Sequence, residues 1–173
     1  MMDRVFLGLA VGATLVLTAA GVVGLMVAGD ERLVAHFALA LFGAMLAALI
    51  HVVTYTYFTV TGKAVQQAVA LGRLDEGALA RTRHHKRVVS WCVVGGMLPL
   101  VVTVALGAHV IHARGDATYH LVAGTVALIA NLGTWAIEFR HIRNNQFLVN
   151  EVMGQYRERR SESDGAGQPS LGD

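Results

Sequence analysis

LVAHFALALFGAMLAALIHVVTYTYFTV, residues 33–60, runs for 28 positions without an aspartate, glutamate, lysine or arginine. About 20 apolar residues in a helix cross a hydrocarbon core roughly 30 Å thick. This stretch is longer than that. Lipid offers no partner for an open backbone N–H or C=O, so a helix is the only single-pass form open to it. Outward from it, residues 5–28, 88–112 and 118–139 read the same way, and Glu138 is the one charged side chain among all four runs. The whole chain is 54% hydrophobic and 15% charged, whereas a soluble domain carries about 25% charged residues. The expected fold is all-α: a four-helix transmembrane bundle with helical cytoplasmic extensions. The first run far exceeds the roughly 7–15-residue apolar region of a signal peptide, and Met26 stands where a cleavage site after Ala28 wants a small residue. It reads as a retained helix.

The charges are one-sided. Arg4, Lys63, Arg73, Arg81, Arg83, Lys86, Arg87, Arg140, Arg143, Arg157, Arg159 and Arg160 fall at one end of the expected bundle, and only Arg32 and Arg114 accompany the two opposite turns. Lysine and arginine are retained on the cytoplasmic side during insertion, so both termini are expected in the cytoplasm. The net charge of +2 gives no sign of a nucleic-acid partner. Cys92 is the single cysteine, so neither an intramolecular disulfide nor a C-x-x-C-H haem attachment is possible.

Between the second and third spans, residues 61–87 are rich in helix formers, with Gly72 as a stop and Asp75 as an N-cap. They predict a cytoplasmic helical hairpin. After Glu138, apolar residues recur at Phe139, Ile142, Val149, Val152 and Tyr156, close to a helical period. An amphipathic helix over 140–160 follows, expected to pack on the hairpin ahead of lying on the membrane or binding a partner. Residues 1–160 form the membrane domain, and 161–173 lack apolar content and are expected to be disordered. The glycines of GLAVG (8–12) are expected to let helices close up within the bundle, and Pro99 to kink the third helix. The two halves show no internal repeat.

Histidines carry the functional signal. His109 and His112 share a helix face at the outer end of the third span, His120 opens the fourth, and His36 opens the second. Imidazole is both a metal ligand and an axial ligand of haem iron. Two ligand sets follow: a single outer-side b-type haem held by two of His36, His109 and His120, or copper or zinc on His36, His109, His112 and His120. The third expectation is that these histidines rest at the membrane interface and bind nothing. Deeper in the membrane, His51 faces a fourth span carrying Asn131, Thr134 and Glu138 near one face, and Thr54, Tyr55 and Thr59 continue its own helix. Ionisable residues at such depth face the bundle interior, so an inner polar seam is expected, serving either proton or quinone chemistry or the locking of helices. His84 and His85 in RTRHHKR (81–87), and His141 beside Arg140 and Arg143, read as contacts to anionic headgroups.

There is no phosphate loop, no H-E-x-x-H and no G-x-S-x-G. The expected role is a non-catalytic membrane subunit or accessory protein of a larger complex, redox-linked through that haem. The alternatives are a copper- or zinc-binding membrane protein and a purely structural bundle. Expected partners are the lipid bilayer and other membrane subunits or further copies of the chain.

Overall fold

A computed structural model describes residues 2–27, 30–113 and 115–166. The described residues form four helices: α1 (Met2–Leu25), α2 (Asp30–Gly72), α3 (Gly77–Ala113) and α4 (Ala117–Ala166). All four are long and apolar enough to cross a membrane. The chain runs up, down, up and down, so one end of the bundle holds the short α1–α2 and α3–α4 turns and the other holds most of the arginines and lysines. We call these the turn end and the basic end.

Large apolar side chains cover the outside of the bundle: Leu15, Val34 and Ile129 are 66%, 67% and 65% exposed. A soluble monomer does not present apolar surface on this scale, whereas a lipid-facing bundle must. The interior is small and tightly closed. Phe6, Ala10, Ala13, Ala47, Ile50, Phe58 and Trp135 belong to one buried cluster, and Phe6 stacks on Phe139 at 6.2 Å between ring centres, joining α1 to α4.

Outside the apolar runs, α2, α3 and α4 continue as a second packed unit. Val65, Ala68 and Val69 of α2, Ala78 of α3, and Leu148 and Val152 of α4 form its core, with Leu74 and Tyr156 against it. The amphipathic segment 140–160 therefore packs on the chain's own hairpin, and it is the continuation of α4, not a separate helix. Full burial of a leucine or valine contributes about 1.5–3 kcal/mol, so Leu148 and Val152 anchor the segment. α4 also runs through Ala166, six residues into the stretch expected to be disordered; 167–173 and Arg114 lie outside the described residues.

The hairpin turn is built differently from expectation. α2 ends at Gly72, but the left-handed position is Arg73 (φ 48°). The Leu74 N–H donates to the Val69 carbonyl at 3.1 Å, and Leu74 joins the cluster that contains Val69. These are the marks of a Schellman stop. Asp75 enters through its carbonyl, which accepts from the Ala78 N–H, ahead of a helix that starts at Gly77.

α3 continues unbroken through Pro99. The GLAVG expectation fails: a Cβ added at Gly8 or Gly12 would meet nothing within 4 Å, so those glycines face away from the other helices. Close approach occurs instead at Gly24 against His36, Gly43 against Leu17, and Gly96 against His51.

α2 and α4 run parallel and in register. Thr61 and Asn145, 84 residues apart in sequence, are hydrogen-bonded. The same offset relates His36 to His120 and His51 to Trp135, and each of these ring pairs is in contact.

Candidate functional site

Two sites lie along this α2–α4 seam. The deeper one is fully closed. His51, Asn131 and Glu138 are all 0% exposed. His51 Nδ1 lies 2.8 Å from Glu138 Oε1, and His51 Nε2 lies 3.1 Å from Asn131 Oδ1. The amide of Asn131 is oriented by its own donors, since Nδ2 donates to the carbonyls of Gly96 (3.1 Å) and Ala127 (2.8 Å). Its Oδ1 can then only accept, so His51 Nε2 must carry a proton. One further proton lies between Nδ1 and Oε1. The ring fits because α3 has no side chain at Gly96, where a Cβ would collide with His51 Nε2.

Thr134 does not join this group. Its hydroxyl donates to the Asn131 carbonyl in its own helix at 3.0 Å. Four buried polar atoms nearby have no partner among the described residues: Glu138 Oε2, Thr54 Oγ1, Trp135 Nε1 and Asn145 Oδ1. Such atoms are uncommon in packed interiors, and here all four belong to residues of α2 and α4.

The second site is at the turn end. His36 Nδ1 donates to the Ala20 carbonyl of α1 at 2.9 Å, and His120 Nδ1 donates to the Thr103 carbonyl of α3 at 3.0 Å. Carbonyls only accept, so both neutral rings hold their proton on Nδ1 and keep the Nε2 lone pair. Each ring lies against a glycine one helical turn beyond its acceptor, Gly24 on α1 and Gly107 on α3. The two half-chains thus repeat one device: carbonyl, glycine four residues later, histidine on the next helix. The two rings meet across the seam, 6.0 Å between centres and near perpendicular.

The other two expected ligands are elsewhere. His109 and His112 are exposed, and His109 lies against Gly115 in the turn. Sequence places all four histidines at one level; around the helix axes they point apart. Among the described residues no three His, Cys, Asp or Glu side chains form a group that could hold a metal ion. The expected four-histidine cluster is therefore reduced to the pair His36 and His120.

At the basic end, His85 Nδ1 and His141 Nδ1 are 2.8 Å apart, one donating to the other, and the His84 ring lies beside both, with centres 5.9 and 6.1 Å away. Burial, then the charges of His141, His84 and Arg81, hold His85 below the usual imidazole value. Burial, then His84 and Arg140, do the same to His141. At the turn end Asp116 caps α4 by accepting from the Thr118 N–H at 2.8 Å, and that bond lowers its carboxyl below the ordinary range.

Comparison with known protein families, with characterised proteins and with solved structures finds no match to this chain.

Proposed function

We propose that this chain is a non-catalytic membrane subunit or accessory protein of a larger complex, carrying one b-type haem at its turn end between His36 and His120. The observation that carries the reading is the pair of Nδ1–carbonyl anchors. Metal-bound histidines characteristically donate their second ring N–H to a carbonyl or carboxylate, which fixes the tautomer and the ring direction. Both histidines have that anchor, from opposite hairpins. Two imidazoles bound to one metal through nitrogens about 2 Å from it have ring centres about 6 Å apart, and these stand at 6.0 Å. The donor set fits a bis-histidine iron, and a haem there supplies one-electron chemistry.

The one-sided distribution of arginine and lysine supports cytoplasmic termini and an outer-side haem. The apolar flanks support burial in lipid and against other membrane subunits or further copies of the chain.

The test is an optical spectrum of the detergent-purified protein, produced with haem available, before and after reduction with dithionite. We expect a Soret band that shifts on reduction and disappears in His36→Ala and in His120→Ala. His109→Ala and His112→Ala keep it. A featureless spectrum sinks the haem reading. Copper or zinc bound by the wild type and lost in the same two variants replaces it with a bare-metal site.

A further inference from the structure

We propose that His51 and Glu138 form a proton-binding site loaded from the basic end of the bundle, along the polar line that Thr54, Asn145, Thr61 and Tyr57 make between α2 and α4.

The chemistry of the pair is set by Asn131. Because His51 Nε2 is committed to Asn131 Oδ1, the pair shares a single proton between Nδ1 and Oε1 and is neutral overall. Glu138 Oε2 is buried and without a partner among the described residues, which leaves it as the open position. A proton taken up there forms one O–H bond and turns a carboxylate beside an imidazolium into a neutral acid beside an imidazolium. A hydronium ion in the water at the basic end supplies the proton, breaking one of its O–H bonds and leaving water, and no other bond changes.

Access is one-sided. Toward the turn end the buried neighbours are Ala13, Ala47, Leu100 and Ala127, whose side chains offer no hydrogen bond. Toward the basic end Phe58 and Ile142 are buried as well, but polar side chains stand on both sides of them. Thr54 and Thr61 are seven residues apart on α2, and Glu138 and Asn145 are seven apart on α4, about 10 Å along each axis. Asn145 Nδ2 donates to Thr61 Oγ1 at 2.9 Å, and Thr61 Oγ1 donates to the Tyr57 carbonyl at 2.8 Å. Thr61 is itself only half-buried and stands just past the apolar run 33–60, so the line reaches the edge of the bundle. Thr54 Oγ1 and Asn145 Oδ1 have no partner among the described residues, and the path requires water to enter between them when the helices part, where these atoms supply two of the polar partners it needs.

The other titratable groups around the pair are few. α3 contributes Cys92 and, farther out, His85 and Lys86. α2 contributes Tyr57, α4 contributes Arg140 and His141, and α1 has none past Arg4.

Infrared difference spectra of the full-length protein, in a detergent without ester groups, read a protonated carboxyl directly. We expect a carboxylic C=O band that grows as the pH falls, shifts on transfer to D2O and is missing from Glu138→Gln. Asn145→Leu should leave its pH midpoint near that of wild type while slowing the D2O shift roughly tenfold or more, since water entering between the parted helices then lacks one of its polar partners. Thr54→Val should move the band without removing it, which identifies the carboxyl even if the Gln variant fails to fold. A band that ignores pH or fails to deuterate overturns the site and makes the triad a structural clasp. Equal exchange in wild type and Asn145→Leu overturns the path. No chromophore is needed, so a colourless protein sinks the haem reading and leaves this one standing.

Discussion

His36 and His51 sit on one helix, 15 residues apart, and differ in a single respect that decides their chemistry. His51 has both ring nitrogens engaged, by Glu138 and Asn131. His36 has one engaged, by the Ala20 carbonyl, and His120 opposite repeats that state. A histidine with two protein partners is a clasp that can exchange a proton; a histidine with one is oriented and still has a lone pair to give. Depth in the membrane distinguishes these residues less than the number of partners does.

The sharpest way to break this comparison is to remove one partner at each site. His51→Leu leaves the Glu138 carboxylate buried and unpaired, and losing one member of a buried pair costs about 3–5 kcal/mol. The double variant His51→Leu/Glu138→Leu should recover most of that loss, because replacing a whole buried pair by apolar side chains is often neutral. Thermal melts in detergent check both. His36→Ala, by contrast, loses one hydrogen bond of about 0.5–1.5 kcal/mol, so it should strip the ligand and leave the fold.

Glycine substitutions sharpen the same contrast. Gly96→Ala drives a methyl into the His51 ring, which Glu138 and Asn131 hold in place, so an overpacking cost of about 1–3 kcal/mol is expected. Gly24→Ala meets the His36 ring at 2.8 Å; that ring is tied at one nitrogen only and can swing, so its melt should fall less. Equal losses in the two variants would show that the outer ring is as rigid as the inner one.

The smallest effect concerns acid. His85 and His141 have folded values below the ordinary imidazole value, so the fold favours their neutral forms. Their contribution is fully present above about pH 6.5, the unfolded value, and is lost as the pH falls from there through the lower folded values. The melting temperature should drop modestly between about pH 7.5 and 5.5, and His141→Gln should flatten that slope.

Four spans, a hairpin and a packed amphipathic segment were legible because hydropathy and helical period are written along the chain. His51, Asn131 and Glu138 were legible as a group because an ionisable residue at that depth must find partners on a facing helix. What escaped was direction around each helix axis. His109 and His112 share the level of His36 and His120, yet each residue turns by about 100°, and without neighbours nothing says which turn faces inward. Thr134 has the spacing of the seam but spends its hydroxyl on its own backbone. The relation of α2 to α4 was hidden for a different reason: His51 matches Trp135, and Thr61 matches Asn145, by contact and not by identity.

The two helices that meet at His36 and His120 contain no proline, and α4 is unbroken from the turn end to Ala166. One continuous helix therefore joins the level of His120 to Leu148 and Val152 in the packed unit at the basic end, and on α2 the helix is likewise continuous from His36 to Gly72. The outer histidine pair and the basic-end unit thus share two helices and are not separate modules.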